Sequence, residues 1–201
     1  MAKPVNEASI RLAIYHALQD QFNLAPVHGR DAVICPRCKH KVLPFDQGRP
    51  DLIVMHRFGY QTVIEVKSIR EQHGHRSFSF AEHKENQMKW MNWWTTVEPE
   101  EEMWHYQPIG FLAIGTTLPE TQHIWVIEWK DWLSQILEPA TALGKKSVSI
   151  ATLTEKFEHY ELKKDGKKWR FGLGHPIWTL LPNVTPVDGV RNFPVETPKH
   201  E

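Results

Sequence analysis

The chain has 201 residues, of which 41% are apolar and 24% charged, with 24 Lys+Arg set against 24 Asp+Glu. That size and composition suit one well-buried globular core with a small appended region. A zero formal net charge argues against bulk electrostatic capture of nucleic acid, and two cysteines are too few for a secreted disulfide scaffold. No stretch reaches the apolar length a bilayer demands, and Met1 to Glu7 lack the apolar segment of a secretory signal, so the expected setting is the cytoplasm, with no membrane partner. The charge is uneven. Residues 1–97 hold 13 Lys+Arg against 9 Asp+Glu, and residues 98–201 hold 11 against 15. A nucleic-acid partner would therefore sit mainly on the first half.

Asn6 is a good N-cap, and Ile10, Ala13, Ile14, Ala17, Leu18 and Phe22 recur at helical spacing, which predicts an amphipathic helix over 7–22 with Glu7 in its first turn. A loop rich in Pro, His, Gly and Asp follows and contains Cys35-Pro-Arg-Cys38-Lys-His40. Residues 51–58 and 61–69 are β-rich runs split by Gly59-Tyr60 and read as an antiparallel hairpin. The two-residue strand period puts Thr62, Ile64, Val66 and Ser68 on one face and Val63, Glu65, Lys67 and Ile69 on the other.

A polar, basic loop spans 70–77, and residues 81–95 predict a second helix with Gln87, Met91 and Trp94 on one side. Residues 111–115 and 123–129 predict strands, and 131–137 a short helix. Thr152 to Glu155 has capping-box form and predicts a helix opening there. Lys164-Asp-Gly-Lys167 reads as a turn before a strand through Phe171, and the chain from Pro182 reads as irregular. The order of elements implies an α/β or α+β domain with a mixed sheet flanked by helices. It divides into a core over 1–138, carrying a cysteine-containing insertion at about 26–48, and a C-terminal extension over 139–201.

Chemistry concentrates at Pro50-Asp51, thirteen intervening residues, and Glu65-Val66-Lys67. Phosphodiester hydrolysis uses a hard cation to polarise phosphate and acidify water, and Mg2+ prefers one or two carboxylates with water and phosphate oxygens. Asp51 and Glu65 are the expected Mg2+ or Mn2+ ligands, with the Val66 carbonyl as a third. Lys67 shares the Glu65 face and could orient the attacking water or stabilise charge on phosphorus. The competing reading is two solvated carboxylates and a surface lysine on a hairpin. Against it stands the apolar run Val63 to Ile69, which should be buried, because buried charges need a reason.

This arrangement resembles the PD-(D/E)xK nuclease superfamily over roughly residues 7–95. Glu7 matches the glutamate that many members carry on the preceding helix, and Gln87 the glutamine of several subgroups. The order of these parts is most similar to Holliday-junction resolvases and related phage or repair nucleases. The resemblance implies a restriction-endonuclease-like core and a Mg2+-dependent endodeoxyribonuclease. Its site would be Glu7, Asp51, Glu65, Lys67 and Gln87, and its action would fall on branched DNA as a homodimer in a nucleoid or phage-infected cell. Restriction- or repair-type cleavage of linear duplex is the nearest alternative. A non-catalytic, zinc-containing DNA-binding module is the alternative from another class.

Cys35-x2-Cys38 is half of a tetrahedral zinc site, with His28 and His40 as the nearest further ligands and Asp31 behind them. Free thiols, a redox pair and a disulfide stay open beside it. Arg70, His73, His75 and Arg76 are candidate phosphate contacts, with His83, Lys84 and Lys89 on the next helix extending the same DNA-binding surface, and a solvated loop is the alternative. Trp90, Trp93 and Trp94, like Trp125, Trp129 and Trp132, read as core or interface ahead of base stacking. The basic turn around Lys163, Lys164, Lys167 and Lys168 reads as a solvated hairpin tip ahead of a DNA contact.

Overall fold

A computed structural model describes residues 6–22, 24, 26–28, 33–34, 41–42, 50–55, 61–69, 76–96, 109–117 and 122–180. Helix α1 (Glu7–Phe22) opens on Asn6, whose Oδ1 accepts the Ser9 backbone N–H at 3.0 Å. Its Ile10, Ile14, Ala17, Leu18 and Phe22 are buried, the stripe that their spacing predicts. Each such large apolar side chain contributes about 1.5–3 kcal/mol by leaving water.

The central sheet has five strands in the order β1 (Val27–His28), β4 (Leu52–Met55), β5 (Gln61–Ile69), β7 (Ile109–Thr116) and β8 (Ile124–Glu128). Two short strands outside this sheet, β2 (Val33–Ile34) and β3 (Lys41–Val42), pair with each other. β4 and β5 are antiparallel, with Leu52 opposite Ile64 and Met55 opposite Gln61. β5 and β7 run parallel over Thr62 to Ile69, and β7 and β8 are antiparallel again, so the sheet is mixed.

Both sheet faces are covered. On one, α1 closes over Leu52, Val54, Ile64, Val66, Phe111, Ala113, Ile124 and Val126. On the other, helix α2 (Glu85–Thr96) and the helical stretch from Trp129 cover Val63, Ile69, Leu112, Ile114, Trp125 and Ile127. β7 lies between both layers and carries a glycine toward each. A Cβ on Gly115 would stand 2.4 Å from Ile10 Cδ1, and one on Gly110 would stand 2.9 Å from Met91 Cε. Glycine is what lets both helices seat this close.

Several local expectations need correction. The helix expected over 81–95 is broken. Ser79 Oγ accepts the Ala81 N–H to cap a short 3-10 turn, Phe80–Glu82, and His83 is extended before α2 starts at Glu85. Trp129 opens a helix rather than closing a strand. That segment, α3 (Trp129–Trp132), runs through a π-helical stretch at Leu133–Leu137 into α4 (Glu138–Ala142), longer than the expected 131–137. The helix expected to open at Thr152 starts earlier. Ser149 caps α5 (Ile150–Lys156) by accepting the Thr152 N–H at 3.1 Å, so Thr152 is inside the first turn. β6 (Ser77–Ser79) pairs with β9 (Ser147–Ser149), an association that period and propensity do not reveal.

The sequence puts a boundary near residue 138; across it the two apolar clusters are continuous. Val148, Leu153, Phe157 and Tyr160 join the α2 side, and Leu162, Phe171 and Ile177 join the α1 side. The hairpin of β10 (Leu162–Asp165) and β11 (Lys168–Phe171) turns at Gly166, whose φ is +60°. It locks onto the end of α1. Gln21 donates to the Phe171 carbonyl at 3.1 Å and accepts the Phe171 N–H at 2.7 Å, while Lys168 pairs with Asp20 at 2.7 Å. A final short helix, α6 (Ile177–Leu180), follows His175. Among the described residues, no helix is long and apolar enough to cross a membrane.

Candidate active site

Pro50 is buried and Asp51 forms a bend just before β4, where the sheet ends beneath the start of α1. Extending the β4–β5 register two residues past the Leu52–Ile64 pair sets Pro50 opposite Val66. Proline has no N–H to give to the ladder. The ladder donor missing at Pro50 is therefore one that would have faced the Val66 carbonyl, while the Val66 N–H is accepted by Asp51 Oδ2 at 2.9 Å. A strand residue's N–H and carbonyl point to the same side, so the Val66 carbonyl faces the gap that Asp51 occupies. The β4–β5 pairing ends at Leu52 and Ile64, and a carboxylate and a carbonyl lie together at the end of the two strands.

Glu65 and Lys67 project from the other face of β5, 3% and 6% exposed. Lys67 Nζ lies 2.7 Å from Glu65 Oε1. Gln87, in the first turn of α2, joins them. Its amide nitrogen donates to the same Glu65 oxygen at 2.5 Å, and its carbonyl accepts from Lys67 at 3.0 Å. Burial pushes Glu65 up to about 7. The Lys67 charge and hydrogen bond hold it down, and the Asp51 and Glu7 charges raise it again. A buried carboxylate beside a lysine and among like charges is costly to keep ionised.

Of the expected site residues, Asp51 bonds the Val66 N–H, and Glu65, Lys67 and Gln87 bond one another, two groups that adjoin along β5. Glu7 is exposed and near enough for its charge to act on Glu65, without a hydrogen bond to the network among the described residues. Two neighbours of these groups are not among the expected catalytic residues. Arg11 Nη1 lies 3.4 Å from Asp51 Oδ1. Arg11 is one helical turn after Glu7, a spacing that puts the two on one face and could have identified it. His83 carries no sequence signal. Expected on an exposed basic surface, it is instead boxed edge-on by Phe78, Trp132 and Trp129 at 5.2, 5.6 and 5.8 Å. Burial, and then the Lys67 charge, push it down to about 4.

Arg76 and Lys84 are exposed on either side of β6 and the 3-10 turn. Lys89 is paired with Glu85 at 2.6 Å. Arg70, His73, His75, Asp31, Cys35, Cys38 and His40 lie outside the described residues, and of His28 only the backbone in β1 is described. Trp125, Trp129 and Trp132 are fully buried. Trp90 and Trp94 stack on each other at 5.2 Å, half-buried, and Trp93 is exposed. At the basic hairpin, Lys163 pairs with Glu161, Lys168 with Asp20 and Arg170 with Asp165.

The donor set suits a hard divalent cation. Two carboxylates and a strand carbonyl are oxygen ligands of the kind Mg2+ takes, and a second positive partner would relieve the charge crowding at Glu65. Among the described residues no three His, Cys, Asp or Glu side chains gather into a metal-holding group; Mg2+ ordinarily needs only one or two carboxylates from the protein. Comparison with known protein families finds no matching model, and comparison with curated proteins finds no significant match.

Proposed function

We propose that the chain is a divalent-metal-dependent DNA endonuclease of PD-(D/E)xK type, built on a restriction-endonuclease-like core and acting on branched DNA as a homodimer. The observation that carries this reading is the network at the end of β4 and β5. There Asp51 binds the Val66 N–H, and Lys67 is held against Glu65 by Gln87. Asp51, Glu65 and the Val66 carbonyl would hold Mg2+ or Mn2+, which when bound supplies Lewis acidity toward the phosphate and toward a water. Glu65 keeps the Lys67 ammonium fixed, and Gln87 sets its direction. Lys67 donates hydrogen bonds to the attacking water and to the phosphate oxygens as charge grows on them. Glu7 adds negative charge at the mouth of the site. A structural zinc at Cys35 and Cys38, with His28 and His40, belongs to the same reading and rests on their spacing alone.

The test is cleavage of a four-way junction and of a linear duplex of matched sequence, with Mg2+, Mn2+ or chelator. Wild type should cut only with the metal and should prefer the junction. Asp51→Ala and Lys67→Ala should lose at least about 10^2-fold in rate. Wild type inert on every DNA form would overturn the enzyme reading. Variants that cut as well as wild type would overturn the site. Equal cutting of junction and duplex would move the substrate to linear DNA.

A further inference from the structure

Arg11 is the one charged side chain on Asp51 to which the reading above gives no task. Its Nη1 stands 3.4 Å from Asp51 Oδ1, and the two side chains are 31% and 27% exposed. That contact is long and single, whereas a committed arginine–carboxylate pair closes to about 2.7–2.9 Å and is commonly bidentate. Among the described residues it is Arg11's only polar contact. Among the described residues most of the guanidinium's donors are unengaged, on a side chain that is partly exposed.

The local charge says what that something is. Glu7, Asp51 and Glu65 crowd three carboxylates at this end of the sheet, and Lys67 and Arg11 face them. With all five groups ionised, three negative charges against two positive leave one negative charge in excess. A divalent cation on Asp51 and Glu65 turns that excess into one positive charge. Arg11 would then stand beside a cation of its own sign, with Asp51 already engaged. An anionic phosphodiester drawn to the same ion is the nearest negative group left, and the guanidinium fork matches its oxygens.

We propose that Arg11 is a phosphate-binding residue that occupies Asp51 until a divalent cation arrives and then turns to the substrate phosphate. This rests on the metal-dependent reading above. It makes Arg11 a competitor of the metal and a partner of the substrate, and those roles predict effects of opposite sign. Replacing Arg11 should strengthen metal binding while weakening cleavage. A purely structural role for Arg11 would weaken both.

Isothermal titration of Mn2+ into the full-length protein without DNA, alongside steady-state junction cleavage, separates these cases for wild type, Arg11→Met, Arg11→Lys and Asp51→Asn. Arg11→Met should bind Mn2+ about two- to fivefold more tightly, the size of a half-exposed ion pair removed. Its kcat/KM should fall about ten- to a hundredfold, the size of a charged hydrogen bond lost. Arg11→Lys keeps the charge, so its Mn2+ affinity should stay near wild type while its cleavage falls for want of the fork. Arg11→Met with both properties unchanged, or with both reduced, overturns the proposal. If wild type takes up no Mn2+, or Asp51→Asn takes it up equally well, the metal-dependent reading itself fails and this inference falls with it.

Discussion

On the α1 face of β5, Ile64 and Val66 enter an apolar cluster with Ile10, Ile14, Phe111 and Val126. On the α2 face, Val63 and Ile69 flank Glu65 and Lys67, which are buried almost as deeply and held by Gln87. One strand thus supports a face that releases apolar surface from water and a face that takes charge out of water. The first gains free energy with each side chain buried. The second roughly breaks even, since the attraction of a buried pair barely offsets the loss of hydration. A fold under selection for stability alone would have no use for the second face.

That contrast can be broken most severely on the polar face. Glu65→Leu combined with Lys67→Met should cut at least about 10^2 to 10^3 times more slowly. The same variant should unfold at the same denaturant concentration as wild type or higher, the gain reaching about 1–4 kcal/mol. A lower midpoint would mean that the polar cluster holds the fold together. Ile64→Ala tests the other face. It should lose about 2–5 kcal/mol of stability, with the cleavage rate per folded molecule unchanged.

The close approach of α1 predicts a smaller loss. Gly115→Ala pushes a methyl group into Ile10 and should lose about 1–3 kcal/mol by urea denaturation. A stability equal to wild type would show that α1 can shift outward freely.

The last effect is read as a slope against pH, with no activity change expected. His175, 2% exposed, accepts the Ile177 N–H at Nδ1, and burial pushes it down to about 3. Its folded form stays neutral where the unfolded chain takes up a proton, below about pH 6.5. Stability is therefore full above pH 6.5 and is lost as pH falls from there toward 3, by about 1.4 kcal/mol per pH unit for this group. His175→Asn keeps an acceptor for Ile177 and should flatten the slope of stability against pH between 6 and 4. An unchanged slope would assign the acid sensitivity elsewhere, with His83 the next group to replace.

The elements that place the polar network were legible because each rests on a local period. Helical spacing gives α1, and strand alternation gives the opposite faces of β5, including Glu65 beside Lys67. Gln87 was legible only as a helix position; its bridging of Glu65 and Lys67 depends on how α2 lies across the sheet, which no local pattern encodes. Arg11 was half-legible, since its turn of helix is readable and its partner, 40 residues on, is not. His83 is hard to read because a His-Lys pair in a polar stretch looks solvated, while the aromatic box around it adds Trp129 and Trp132, more than 40 residues on, to the nearby Phe78. The β6–β9 pairing and the docking of β11 on α1 join segments 70 and 150 residues apart, as with Phe78 and Val148 or Gln21 and Phe171. Long-range closure of this kind leaves no trace in either segment read alone.

The last of these contacts bears on how the molecule is born. Gln21 leaves the ribosome 150 residues before Phe171, the backbone that it grips through both its amide oxygen and nitrogen. At about 5–20 residues per second of synthesis, roughly 8–30 s separate the two. During that interval a nascent chain already carries Asp51, Glu65, Lys67 and Gln87, while the helix that delivers Glu7 and Arg11 has yet to be clamped at its far end. Release of the hairpin from the exit tunnel is therefore when the far end of α1 gains its contacts with Phe171 and Lys168.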